Sequence, residues 1–342
     1  MASFGPADPV DHDVVRATVR RIEPDWRDID IAPIQAGSDV LYEVTAHDGG
    51  EDPDADARRH TILKLGSFGE IADPEALRVE SRLLDRIGAA TDVPVPTVYG
   101  RVDDDPDLPT PAYLMAYRPG RTLAPADRSR AIVRRVARDA GRHLGRVHEL
   151  DWDLDGFGDL AAVDDRVGVA DPGRSWRDWL AWAVSFPFEA FPDRFADLLP
   201  DLRERAETAI DRIEGPFDPT VCHCDYRYDN LRVDADGGTR AALDWGGSLA
   251  APAAYDLVKT ESMLCSSAPL DSRLRETVRT ALRSGYAETA TVPAGLDRNR
   301  RVYLLVDRLH SMRWLPYWHD DATDAHRDRV AAAHRSFVAA LP

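Results

Sequence analysis

The segment Val221-Cys222-His223-Cys224-Asp225-Tyr226-Arg227-Tyr228-Asp229-Asn230-Leu231-Arg232-Val233 decides the fold. Two short apolar runs flank the pattern His-x-Asp-x-x-x-x-Asn. A turn over residues 234–238 follows, and then Arg240-Ala241-Ala242-Leu243-Asp244-Trp245, which makes a hairpin with an aspartate at the end of its second strand. Phosphoryl transfer from Mg-ATP requires a carboxylate that orients and deprotonates an attacking hydroxyl, and hard oxygen ligands that hold magnesium against the phosphates. Asp225 supplies the first; Asn230 and Asp244 supply the second. Only two asparagines occur in the chain, and random placement gives about 0.008 matches to the pattern, so a polar loop whose Asp and Asn merely cap turns is the weaker explanation.

Working outward, the first third is rich in strands. A helix is expected around residues 11–22, then strands over residues 34–39, 40–44 and 61–65, with a Gly-, Asp- and Pro-rich hairpin tip over residues 48–60. Ala36-Gly37-Ser38-Asp39 can bring backbone N–H groups close to phosphates, with Gly37 and Ser38 as the contacts. Lys64 is a lysine inside an apolar strand of a chain that otherwise uses arginine, which points to a site that wants a compact ammonium. Asp73-Pro74 reads as a cap and a first-turn proline. The helix it opens carries Leu77, Glu80, Leu84 and Ile87 on one face, so Glu80 is the natural partner of Lys64. Further strands are expected over residues 93–99 and 112–117. Beyond Arg118-Pro119-Gly120 the pattern turns helical, with stripes over residues 132–147, 176–188, 195–213, 272–288 and 301–314. The expected division is therefore residues 1–117 and 118–342.

Composition excludes some classes. The chain has 342 residues and a formal net charge of −17; Lys64 and Lys259 are its only lysines, against 41 arginines and 46 aspartates. A phosphate-backbone binder would have to be built against that field, so no nucleic-acid partner is expected. An Asp-heavy, Lys-poor surface suits a halophilic protein in molar salt, where screening acts within ~3 Å. Three cysteines without a paired C-x-x-C indicate neither a disulfide framework nor a zinc site. No apolar run reaches ~18 residues and the first residues lack a signal-peptide pattern. A soluble, cytoplasmic protein with no membrane partner is expected.

The chain resembles the aminoglycoside phosphotransferase and choline kinase superfamily from about Ile34 onward. The resemblance rests on His223–Asn230, on Asp244-Trp245-Gly246, and on Pro252-Ala253-Ala254-Tyr255-Asp256-Leu257. It implies an α+β, protein-kinase-like fold, with a small β-rich nucleotide-binding lobe and a larger, mostly helical catalytic lobe. It implies an ATP- and Mg²⁺-dependent kinase that phosphorylates a hydroxyl of a small metabolite or antibiotic; a catalytically weak, pseudokinase-like nucleotide-binding module is the alternative. By position, Asp225 matches the catalytic base, Asn230 and Asp244 the metal ligands, and Lys64 with Glu80 the phosphate-positioning pair. The Ala116 carbonyl and Arg118 N–H match the adenine-reading hinge. His223 and Asp256 match groups that hold the loop, and Arg227 stands where protein kinases place a lysine on the transferred phosphoryl group. Two departures stand out: Cys224 replaces the usual glycine between His and Asp, and Asp39 replaces a frequent asparagine. Trp314, Tyr317, Trp318, His319, Asp320 and Asp321 offer an aromatic, acidic acceptor pocket, against a reading of Trp314 and its neighbours, like Trp176, Trp179 and Trp182, as packing. Lys259 is expected to tolerate arginine.

Overall fold

The computed structural model describes residues 10–34, 40–49, 58–66, 73–266, 268–320 and 322–341. The expected phosphate loop, with Gly37, Ser38 and Asp39, lies outside the described residues, as do most of the hairpin tip and Asp321. The chain divides into two compact units: Met1–Gly120 with Ala161–Val167 and Arg240–Gly246, and Arg121–Leu160 with Gly168–Thr239 and Gly247–Pro342.

In the first unit, helix α1 (His12–Ile22) opens on Asp11, whose carboxylate accepts the Asp13 N–H at 2.7 Å. Strands β1 (Trp26–Ile34), β2 (Val40–Asp48), β3 (Arg58–Leu65), β4 (Val98–Val102) and β5 (Ala112–Ala116) form an antiparallel sheet in the order β1-β2-β3-β5-β4. Side chains alternate across a strand. Leu63 and Leu65 therefore enter the core with Val15, Val19, Tyr42 and Leu114, which leaves Ile62 and Lys64 on the opposite face. Helix α2 (Pro74–Ala90) starts where the sequence predicts, with the Asp73 carboxylate accepting from Glu75 N and Ala76 N at 3.0 and 3.2 Å.

Two strand expectations move. β1 begins eight residues before the expected strand at Ile34, because Asp28 and Asp30 hide its alternation and the register shifts between Arg27 and Asp30. Residues 93–97 are irregular and the strand starts at Val98, since Pro94 and Pro96 have no N–H to give a ladder.

The second unit carries α3 (Arg130–His148), β6 (Gly158–Val163) and β7 (Arg166–Val169), the latter two extending into residues of the first unit. It continues with α4 (Trp176–Glu189), α5 (Leu199–Asp211), β8 (Thr220–Cys222) and β9 (Leu231–Val233). Beyond β10 (Thr239–Ala242) come β11 (Leu249–Ala251), α6 (Ala253–Cys265), α7 (Arg273–Tyr286), α8 (Leu296–Trp318) and α9 (Asp324–Ala340). The helix expected over residues 195–213 splits into a 3-10 turn, Asp193–Leu198, and α5, with Pro200 in its first turn. Helix α9 is an element that the hydrophobic stripes of the sequence do not announce.

Helices α3 and α7 touch through glycine. A Cβ on Gly141 would lie 2.0 Å from the Leu282 carbonyl oxygen, and one on Gly285 would lie 1.9 Å from that of Arg138. This close approach fixes where His148, at the end of α3, meets Tyr286 of α7.

Candidate active site

The first unit brings Lys64, Glu80 and Asp244 together from β3, α2 and the segment after β10. Lys64 Nζ donates to Glu80 Oε2 at 2.8 Å and lies 3.7 Å from Asp244 Oδ1. The other Glu80 oxygen accepts the Trp245 N–H at 3.0 Å. Lys64 and Glu80 are 5% and 2% exposed, while the Asp244 carboxylate is 41% exposed. Two carboxylates on one ammonium leave a local charge of −1, open to solvent only on the Asp244 side. Asp244 takes a left-handed backbone at φ 63°, uncommon for a non-glycine residue. The segment is held from behind, since Trp245 Nε1 donates to the Ala242 carbonyl at 3.2 Å and Ala242 N donates to the Pro94 carbonyl at 2.9 Å.

The residues expected to read adenine, Ala116 and Arg118, stand at and just after the end of β5. Ala116 N donates to the Thr97 carbonyl at 2.8 Å and Tyr117 N to that of His60 at 3.1 Å. The Arg118 guanidinium turns back onto the Val95 carbonyl.

In the second unit, the loop after β8 is built around one buried carboxylate. Asp256 of α6 accepts the N–H of His223 at 2.8 Å and of Cys224 at 3.0 Å, and its Oδ2 lies 3.2 Å from His148 Nε2. A carboxylate only accepts, so Nε2 carries the proton, and in the neutral ring Nδ1 receives the Tyr286 hydroxyl at 3.1 Å. Burial alone would raise the Asp256 pKa, but the His148 hydrogen bond, the nearby histidines and the Cys224 amide together hold it below the ordinary value. Cys224 sits at φ 62°. The cysteine thus adopts the left-handed conformation that glycine takes most cheaply, and the departure costs about 1 kcal/mol rather than the turn. Its thiol is buried and its pKa is pushed up by burial, as is that of Cys222, so neither is a nucleophile.

Asp225 is poised by its neighbours. Its N–H donates to His223 Nδ1 at 3.2 Å, and Asn230 Nδ2 donates to its carbonyl at 3.0 Å and to its Oδ2 at 2.8 Å. Arg227 Nε lies 3.2 Å from the same Oδ2, so Arg227 pairs with Asp225 itself. With Nδ2 on Asp225, the Asn230 amide oxygen faces elsewhere. His148, Cys222 and Asp256 converge within 4.8 Å, but the Cys222 thiol donates to the Ala251 carbonyl and the Asp256 oxygens are taken. That trio is scaffolding.

The aromatic residues separate by burial. Trp176 and Trp179 are buried and stack at 4.9 Å, as packing predicts. Trp182 packs against Trp179 and Phe186 at 6.3 and 6.2 Å but is 45% exposed, with Arg174 over its ring. Trp314 lies among Phe186, His310 and Tyr317, Trp318 is half exposed, and His319 lies by His326 at 5.1 Å. Lys259, expected to tolerate arginine, is set among charged and polar groups. It is partly buried, with Asp225, Cys224, Asp307 and Tyr255 facing it, and with burial opposing them its pKa is nonetheless raised.

A β-sheet unit with a buried Lys–Glu pair, and a helical unit with an Asp225–Asn230 loop anchored by Asp256, define the class of phosphotransferases with a protein-kinase-like fold. The model of the phosphotransferase enzyme family matches residues 30–300, and the chain belongs to that family. Family membership makes it a phosphotransferase. Among solved structures it is similar to a thermostable mutant of aminoglycoside phosphotransferase APH(4)-Ia, at 15% identity and a TM-score of 0.61, covering 94% of this chain and 98% of that one. It is also similar to a microcompartment-associated aminopropanol kinase, at 19% identity and 0.61, covering 94% and 95%. A third is the macrolide 2'-phosphotransferase MphH from Brachybacterium faecium, at 18% and 0.53, covering 94% and 98%. At these identities the likeness is one of fold. No curated protein matches the chain. Among the described residues no helix is long and apolar enough to cross a membrane.

Proposed function

We propose that the chain transfers the γ-phosphate of Mg-ATP to a hydroxyl of a small molecule. In this reading the first unit binds the nucleotide, while the second supplies the base and the acceptor site. The observation that carries it is the convergence of Lys64, Glu80 and Asp244, three residues far apart in sequence, into one cluster with a single solvent-facing carboxylate. Solved neighbours of the same fold include APH(4)-Ia in complexes with AMP-PNP and hygromycin B and with ADP and hygromycin B.

Lys64, held by Glu80, would position the α- and β-phosphates, and the Ala116 carbonyl and Arg118 N–H would meet the adenine edge. Gly37 and Ser38, between β1 and β2 in the sequence, would contact phosphate through their backbone N–H groups. By chemistry each residue offers the hard oxygen that magnesium takes: the Asp244 carboxylate at the negative end of its cluster, and the Asn230 amide oxygen, whose nitrogen donates to Asp225. Magnesium bound by these two residues would neutralise phosphate charge. Asp225, fixed by Asn230 and Arg227, would orient the acceptor hydroxyl and take its proton. Arg227 would swing its guanidinium toward the transferred group as charge develops there. A nucleotide-binding module without catalysis would spare none of these groups in particular, yet base, metal ligands and lysine are all present.

Asp225→Asn keeps the shape of the loop and removes the base. Turnover, read as ADP release with a hydroxylated acceptor, should fall by ~10²–10⁴ while ATP affinity changes little. Unchanged turnover under conditions where chemistry limits the rate overturns the assignment.

A further inference from the structure

Helix α6 places three side chains on one face by their spacing of four and three: Tyr255, Lys259 and Ser262. The same helix is pinned at both sides of Lys259. One turn before it, Asp256 holds the backbone of His223 and Cys224. One turn after it, the Ser262 hydroxyl donates to Asp307 Oδ2 of α8 at 2.6 Å. The lysine thus lies between the anchor of the Asp225 loop and a buried carboxylate, and its ammonium is 5.8 Å from the Tyr255 ring centroid. Among the described residues it makes no hydrogen bond and no ion pair within 4.0 Å. Asp307 is 5% exposed and accepts the Ser262 hydroxyl at Oδ2, and Oδ2 of Asp225 is engaged by Asn230 and Arg227.

A partly buried ammonium beside the catalytic loop has three donors and no protein oxygen on them. Taking a cation out of water is costly unless an anion meets it. A polycationic acceptor would be repelled there, whereas a small anion would be drawn in. A chain with 41 arginines has kept lysine at this position, where the compact head leaves room for a ligand that a guanidinium fork would occupy.

We infer that Lys259 is a specificity-determining residue that receives an anionic group on the acceptor, a carboxylate or a phosphate ester, so that the phosphorylated hydroxyl belongs to a small hydroxylated anion. The inference rests on Asp225 being the base and adds the acceptor class to it. The transfer balances without further reactants: the acceptor O–H loses its proton to Asp225, its oxygen bonds to the γ-phosphorus, and the bond from that phosphorus to the β,γ-bridging oxygen breaks to release ADP.

The test is a matched series of one skeleton: glycerate, glycerol 3-phosphate, glycerol and, for the cationic arm, 1-amino-2-propanol. Binding is read by calorimetry in the presence of Mg-AMP-PNP, and turnover as ADP release, on wild type, Lys259→Met and Lys259→Arg. Wild type should bind at least one of the two anions about tenfold or more tightly than glycerol. The stronger of the two identifies carboxylate or phosphate as the recognised group. Lys259→Met should bring that ratio to within about threefold, acting on KM more than kcat, with glycerol unchanged. Lys259→Arg should fold and weaken the anion less than Met does. Glycerol or the amine binding as well as both anions in wild type overturns the inference, as does an equal loss for every acceptor in Lys259→Met. Anion-selective binding without ADP release from any acceptor, the amine included, retains Lys259 as an anion site and counts against the phosphotransferase reading alone.

Discussion

Lys64 and Lys259, the only lysines in the chain, sit in contrasting company. Lys64 is clamped by Glu80 at 2.8 Å with Asp244 at 3.7 Å, and the surplus negative charge faces solvent. Lys259 has opposite charges around it but none within ion-pair distance among the described residues. A lysine whose partner is supplied by the protein is positioned in advance and can act on a ligand at fixed geometry. One whose partner is absent leaves its donors for the ligand itself. In the proposed reading the difference separates a region that orients from a region that selects.

The contrast is broken most severely at the clamp. Lys64→Met leaves Glu80 buried with a hydrogen bond to Trp245 N but no cation. Loss of one member of a buried pair costs ~3–5 kcal/mol, so the urea midpoint should fall sharply and turnover should drop by ~10³ or more. Wild-type stability in Lys64→Met would show that the pair contributes little. Asp244→Ala comes next. It removes the solvent-facing carboxylate and should weaken magnesium-dependent nucleotide binding by ~10–100-fold while changing stability little, because that group is 41% exposed; equal Mg-ATP affinity in a titration would exclude it as a ligand.

A third effect sharpens the comparison by pH. His143, under the loop and 2.8 Å from the Tyr226 hydroxyl, is held at about 4 by burial, with Arg142 adding to it. A histidine whose folded pKa is depressed gives stability that is complete above its unfolded value near 6.5 and is lost as pH falls toward 4. The second unit should therefore lose roughly 1–3 kcal/mol over that window. His143→Gln should flatten the slope of denaturation free energy against pH, and a slope unchanged in the mutant would assign the loss to other groups. Smallest is Cys224→Gly. It removes the left-handed strain at φ 62° and also buried side-chain contacts, so stability should move by less than ~1 kcal/mol and kcat by less than about threefold. A large loss of turnover would mean that the thiol shapes the loop.

The motif from His223 to Asn230 was legible because rare residues fell at a fixed spacing, and α2 because Asp73-Pro74 marks a helix start in the sequence itself. Lys64 and Glu80 were paired by combining a charge in a strand with a charge on a buried helix face. Residues whose meaning depends on distant partners were not legible. His148 and Tyr286 meet only because glycines let α3 and α7 touch, and Arg227 had several candidate carboxylates before the turn placed it on Asp225. Lys259 was missed for a different reason, since no motif drew attention there. Prolines in residues 93–97 and aspartates in β1 masked strand alternation locally.

Glu80 spends its two oxygens on two separate segments of the chain, one on the ammonium of β3 and the other on the Trp245 amide beyond β10. The carboxylate behaves as a logical conjunction, satisfied only when both segments are in place and α2 has the correct rotation about its axis. Turning α2 by a single residue, about 100°, swings Glu80 off both at once. The rotation of α2 is therefore tied to the placement of both the lysine and the aspartate-bearing segment.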